Sequence, residues 1–223
     1  KNFFMHKSVQ NLINIQSSIK SKLIELKFKH KIPKIIAVSK TFKIEHVIPL
    51  VEHGHVDFGE NKVQEAIDKW TEIKKKKNIK LHFLGKLQTN KVKSAIKIFD
   101  YIHSLDSEKL AKKIADEQVK QDQKPKIFIQ INIGKEEQKS GISKENLTEF
   151  YEFCKSINLN IIGTMCLPPI DDDSTEYFSE MFIINQKLGL SELSMGMSSD
   201  YLKAIEYNST YLRIGSNIFG LRS

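Results

Sequence analysis

A strand-like run followed by a helix-like run, repeated about eight times along the chain, is the feature that most limits how this sequence can fold. An amphipathic segment opens it at about residues 6–29, with Val9, Leu12, Ile13, Ile19, Leu23 and Leu26 at helical spacing and Pro33 expected to close it. PKIIAVSKT then reads as a buried strand and IEHVIPLVEHG as the helix after it. The unit recurs as VDFGEN with KVQEAIDKWTEIKKK, LHFLGKLQ with TNKVKSAIKIF, YIHSLD with SEKLAKKIADEQVKQ, and KIFIQINIG with SKENLTEFYEFCKSI. NIIGTMCLPP with STEYFSEMFIINQKLG, ELSMGMS with SDYLKAIEYN, and a last strand in YLRIGSNIFG complete the series. Helical crossovers between strands imply a parallel sheet, and a count near eight favours closure. The expected fold is α/β: a single (β/α)8 barrel of TIM type with an extra N-terminal helix, one domain over residues 1–223. An open flavodoxin-like sheet is the alternative.

Composition removes several functions. No apolar stretch approaches the ~20 residues of a membrane span, and KNFFMHKSVQ lacks the apolar core of a secretory signal, so an intracellular, cytoplasmic chain is expected. Neither Gly-x-Gly-x-x-Gly nor a Walker lysine motif occurs, which weakens nucleotide readings. Cys154 and Cys166 have no paired spacing and read as buried thiols; His53 and His55 flank a glycine without a ligand set, read as solvated loop, and no metal is expected. The net charge of +8 comes almost wholly from lysine, because among 35 basic residues only Arg213 and Arg222 are arginines. The run KKKKNIK at 74–80 reads as a solvated helix end with no interleaved aromatics, so nucleic acid is not the expected partner. Arginine kept at only two positions suggests a need there for a planar donor that cannot lose its proton, although chance would also serve.

In such barrels the working face forms at the carboxyl ends of the strands. The candidates there are Ser39, Lys40 and Thr41 after the first strand, Glu60 and Asn61 after the second, and Gly85, Gln88 and Asn90 around the third. Met165 lies near the end of the sixth strand, Ser198 at the end of the seventh, and Arg213, Gly215 and Ser216 on the eighth. Lys40 ends an apolar strand, and poor solvation there would favour the neutral amine that condenses with an aldehyde; the commonest aldehyde cofactor is pyridoxal 5'-phosphate. A strand-end lysine is also an ordinary solvated terminus. RIGSNIFG offers backbone N–H groups at Gly215 and Ser216, the Ser216 hydroxyl, and no Cβ at Gly215 to obstruct a phosphate. Ser198 in SMGMSSD starts a helix and offers a second anion-binding corner, or simply an N-cap. Arg213, two residues before Gly215, faces the same way; an arginine against a pyridine nitrogen leaves that nitrogen unprotonated and the ring a weak electron sink.

These residues resemble the YggS/PROSC family of pyridoxal phosphate homeostasis proteins, whose barrel is similar to the N-terminal domain of alanine racemase. The resemblance runs through AVSKT at 37–41, FGENKVQE at 58–65, HFLGKLQTNK at 82–91, QINIGKEEQKSGI at 130–142, SMGMSSDYLKAI at 194–205 and RIGSNIFG at 213–220. It implies a Schiff base on Lys40, Arg213 as partner of the pyridine nitrogen, a phosphate held by Ser198, Gly215 and Ser216, and Asn61 and Met165 as neighbours of the ring. It further implies a monomer that buffers or delivers the cofactor, with pyridoxal-phosphate-dependent apoenzymes as candidate recipients and no reaction of its own. The alternative is an amino-acid racemase, which needs acid-base groups on both substrate faces; the resemblance would put one of them on a second domain that 223 residues do not accommodate.

Overall fold

The computed structural model describes residues 5–220 apart from 28, 30, 137, 139 and 171; Arg222 and two positions of the motif at 130–142 lie outside the described residues. Eight strands alternate with helices, as the sequence pattern requires: β1 (Lys34–Val38), β2 (Asp57–Glu60), β3 (Lys80–Phe83), β4 (Tyr101–Leu105), β5 (Lys126–Ile131), β6 (Ile161–Cys166), β7 (Glu192–Ser194) and β8 (Tyr211–Ile214). All neighbours pair in parallel, and β8 returns to β1 through Lys34 opposite Tyr211 and Ile36 opposite Arg213, so the sheet closes into a (β/α)8 barrel. Preceding it is α1 (Lys7–Glu25); between strands come α2 (Ile44–Glu52), α3 (Val63–Lys76), α4 (Val92–Ile98), α5 (Glu108–Gln121), α6 (Leu147–Ser156), α7 (Ser174–Lys187) and α8 (Tyr201–Glu206), with a short α9 (Ser216–Phe219) after β8.

Strand alternation sorts side chains between two cores. In β1, Ile35 and Ala37 point outward into the large layer shared with the helices, whereas Ile36 and Val38 point inward beside Tyr101, Phe128, Met165 and Tyr211. The outer layer includes Phe58 and Trp70, whose rings lie 4.7 Å apart between β2 and α3. Strands close enough to share hydrogen bonds leave some positions no room for a side chain. A Cβ at Gly163 on β6 would come within 1.9 Å of the Glu192 carbonyl oxygen on β7, which is backbone and cannot rotate away.

Three local features depart from the sequence expectation. Pro33 does not close α1: the helix stops at Glu25, and Lys27 adopts a left-handed φ of 56°, ending it well before the proline. The eighth strand ends at Ile214, so Gly215 and Ser216 belong to the start of α9, where the N–H groups of Ile218 and Phe219 donate to the Gly215 carbonyl. The lysine run is more than a solvated end, because Lys74 pairs with Asp100 at 2.6 Å and donates to the Ile98 carbonyl. Likewise His53 is exposed but His55 packs edge-on against Phe58 and contacts the Asp57 carbonyl at 2.9 Å. Among the described residues no helix is long and apolar enough to cross a membrane.

α1 packs along α9, α8 and α2, and Asn11 Nδ2 donates to the Ile218 carbonyl at 2.9 Å, so the added helix braces the segment that follows β8. Gly163→Ala is expected to destabilise the barrel by about 1–3 kcal/mol or more through overpacking between β6 and β7; a denaturant titration that leaves the midpoint unchanged would refute the close approach.

Candidate functional site

The rim residues of β1 and β2 are set by one buried carboxylate. Glu60 is fully buried, and its Oε1 accepts from Ser39 Oγ at 2.7 Å, Lys69 Nζ at 2.8 Å and Trp70 Nε1 at 2.9 Å. Lys69, on α3, also donates to the Ser39 carbonyl at 2.9 Å. Ser39 and Glu60 therefore face the helical layer and not the mouth, a correction to their place among the working-face candidates. Their role is to pin the peptide immediately before Lys40. Lys40 itself is half-buried in the turn after β1, and Thr41 follows with a φ of 70°, a left-handed conformation that β-branched residues rarely adopt.

Asn61, the next residue after Glu60, is half-buried, with its Oδ1 buried and lacking a hydrogen-bond partner among the described residues. Gly85, after β3, lets the backbone approach it: a Cβ there would lie 2.3 Å from the Asn61 carbonyl oxygen. Gln88 and Asn90 are exposed around the 3-10 turn Thr89–Lys91. Met165 is buried in the inner cluster with Val38, Phe128 and Tyr211, against the half-buried Leu84 and Leu167.

β7 and β8 bring the remaining candidates together. Ser198 Oγ accepts from the Asn217 N–H at 3.3 Å, and Asn217 Nδ2 donates to the Ser198 carbonyl at 2.8 Å, joining the loop after β7 to the first turn of α9. Gly215 precedes that turn; a Cβ on it would meet Val38 only at 3.5 Å, an ordinary contact, so the protein's own packing does not demand glycine there. Arg213 points into the barrel and is 5% exposed; its Nη1 donates to Ser194 Oγ at 2.6 Å and its Nη2 to the Cys166 carbonyl at 2.8 Å.

Two residues that sequence reasoning missed lie behind Arg213. His103 Nδ1 is 2.9 Å from Ser194 Oγ, His103 Nε2 is 3.0 Å from His82 Nδ1, and His82 Nε2 is 2.9 Å from Asp57 Oδ1. Stacking fixes the rings, His82 on Tyr101 at 4.2 Å and His103 on Phe128 at 4.3 Å. Their signal was present in the strand period, because His82 and His103 occupy inward positions of β3 and β4. Burial lowers the pKa of both histidines, that of His103 well below its ordinary value, with the nearby charges of His82 and Arg213 adding to the effect. Burial opposes ionisation of Asp57, but His82, Lys34 and His55 outweigh it and hold the carboxyl below its ordinary value. Burial also lowers the pKa of the Arg213 guanidinium.

The opposite end of the barrel carries a groove of about 570 Å³ lined in part by Lys31, Lys34, Lys126, Glu192 and Tyr211. Its groups already engage one another, as in Lys31 with Glu192 at 3.4 Å and Lys34 with Tyr211 at 3.3 Å. Among the described residues no cluster of His, Cys, Asp and Glu could hold a metal ion.

The fold and site thus define a parallel (β/α)8 barrel with a lysine at the first strand's rim, a buried arginine on the last strand and a junction of Ser198 with the first turn of α9. The chain belongs to the alanine racemase N-terminal domain family, whose model matches residues 16–223. It is 35% identical to the pyridoxal phosphate homeostasis protein of Pasteurella multocida, over 96% of this chain and 97% of that one, and 37% identical to the Aquifex aeolicus protein of the same name, over 85% and 87%. Among solved structures it is similar to PipY of Synechococcus elongatus with PLP bound, at TM-score 0.80 and 31% identity, covering 91% of this chain and all of PipY. An alanine racemase of Clostridium difficile shares the fold at TM-score 0.73 and 18% identity, with this chain spanning 57% of it.

Glu60→Ala would leave Lys69 and Trp70 without their buried acceptor, and is expected to cost about 3–5 kcal/mol in urea unfolding. For the histidines the sign follows from protons bound. As pH falls below the ordinary value of 6.5, the unfolded chain takes up protons that folded His82, His103 and half-buried His55 refuse, so stability falls with pH. Each contributes a slope of up to roughly 1.4 kcal/mol per pH unit. His103→Gln should flatten that slope between pH 6.5 and the lower folded value; thermal unfolding across this range measures it.

Proposed function

We propose that this chain binds pyridoxal 5'-phosphate covalently through Lys40 at the mouth of the barrel and serves the homeostasis of that cofactor without turning over a substrate. The observation that carries the reading is the placement of a rim lysine, a buried arginine and the Ser198–α9 corner on one end of one barrel. When bound, the cofactor supplies an aldehyde carbon for the Lys40 amine, with loss of water. Arg213 donates toward the ring nitrogen and, unable to give up its proton, leaves that nitrogen unprotonated, so the chain does little to draw electrons out of a substrate. Ser198, Gly215 and Ser216 hold the phosphate; the spare room at Gly215 and the junction of Ser198 with the first turn of α9 suit a compact anion. Asn61, with a buried oxygen left unbonded among the described residues, and Met165 flank the ring.

Support comes from the shared name of the Pasteurella and Aquifex relatives and from PipY, whose structure is known with and without PLP. The likeness to alanine racemase is at 18% identity and carries only the fold, so it does not favour a racemase. The reading takes residues 1–223 as one working unit, a cytoplasmic monomer with pyridoxal-phosphate-dependent apoenzymes as recipients. Cys154 and Cys166 are both buried and not joined in a disulfide, which suits a reducing compartment.

Added pyridoxal 5'-phosphate should give a new absorbance band with the intact chain and none with Lys40→Ala, and borohydride should fix the cofactor to a peptide containing residue 40. A band that survives in Lys40→Ala would reassign the lysine. Racemisation of several amino acids should not exceed that of free cofactor; turnover clearly above it would make the chain an enzyme.

A further inference from the structure

A buried guanidinium bonded to a hydroxyl and a carbonyl needs its charge balanced by other groups, and Asp200 is one that acts on Arg213 directly. Arg213 is in this position, bonded to Ser194 and to the Cys166 carbonyl, and the contacts continue from Ser194 through His103 and His82 to the carboxylate of Asp57. With both histidines neutral, the state their burial favours, the two ends of this series fix every proton in it. An ionised Asp57 only accepts, so His82 Nε2 carries a proton; a neutral His82 then accepts at Nδ1, and His103 Nε2 must donate to it. His103 accepts at Nδ1 from the one hydroxyl proton of Ser194, which leaves the Ser194 oxygen to accept from Arg213. The guanidinium only donates, so the assignment begun at the carboxylate closes at the cation without a conflict.

We propose that Ser194, His103, His82 and Asp57 form a polarised hydrogen-bond relay across the barrel interior that positions Arg213 for the ring nitrogen of the cofactor and ties that site electrostatically to Asp57. The cofactor half of this inference rests on the reading of Arg213 given above. The four are positioning residues, since the relay meets the cofactor only through Arg213. It orients and does not conduct, because an arginine at its end holds its proton and cannot pass it on. Aligned donors strengthen one another in a medium of low dielectric, so the relay extends the reach of Asp57 toward a cation several side chains away. Stacking of the histidines on Tyr101 and Phe128, with Tyr211 5.8 and 6.1 Å from their ring centres, keeps them from turning out of line. The groups facing His103 are His82 from β3, Ser194 from β7 and Arg213 from β8; those facing Asp57 are His82, Lys34 and His55, and those acting on Arg213 include Cys166 and Asp200, which stay in place in every variant below.

Nitrogen-15 NMR of histidine-labelled, cofactor-free protein near pH 7 tests the relay without any substitution. Both His82 and His103 should be neutral with the proton on Nε2; a proton on Nδ1 of either ring, or a charged ring, overturns the relay. The second arm uses added pyridoxal 5'-phosphate and the pH titration of its bound absorbance band. Ser194→Ala and His103→Phe should shift the titration midpoint by roughly one unit, the tenfold change expected when the arginine loses its support. His103→Gln, whose amide can both accept from Ser194 and donate to His82, should restore it. Midpoints unchanged in folded Ser194→Ala and His103→Phe overturn the positioning role. No band in the intact protein overturns the cofactor reading and with it the link to Arg213, while the tautomers alone decide whether the relay exists.

Discussion

The interior of a closed barrel is packed with side chains, so an inward donor or acceptor is costly unless it finds a hydrogen-bond partner. Most of the structure follows from that constraint. Ile36, Val38, Phe128 and Met165 fill the interior with apolar volume, and His82, His103 and Ser194 join Asp57 to Arg213 in one connected series. A single unpartnered member would cost more than its hydrogen bond is worth, which makes the interior a set that stands or falls together.

The rim obeys a related rule. The peptide before Lys40 is held by Lys69 and Glu60 from the layer outside the barrel, where Trp70 also donates to the same carboxylate oxygen. The backbone that carries Lys40 is thus steadied by a different lysine, and Thr41, with its left-handed φ, follows directly. A fixed first strand, a fixed arginine on the strand beside it and a loop joined to α9 leave this end of the barrel little freedom to reorganise.

Much of this was legible in the chain. The alternation of buried strands with helices set the count of strands and their direction, position after the strand-like runs marked Lys40, Asn61 and Ser198, and residue parity put Arg213 on the face of Gly215. What misled was local. Pro33 marked a break that Lys27 had already made, and RIGSNIFG looked like one strand because its apolar residues suit either a strand or a helical turn. Ser39 and Glu60 lay at the right ends of their strands but faced outward, a choice their partners on α3 make clear and their own positions do not.

By itself the sequence determined the alternation of parallel strands with helices, because hydrophobic period and crossover length are properties of neighbouring residues, and it favoured closure without deciding it. It also determined the residue types available at the mouth. Only the tertiary structure decided that His82, His103 and Ser194 meet Arg213, since they come from strands far apart in the chain and touch only when the barrel closes. Hydrogen bonds of a few ångströms between such residues depend on shear, ring stacking and closure together, and no local pattern of amino acids encodes those.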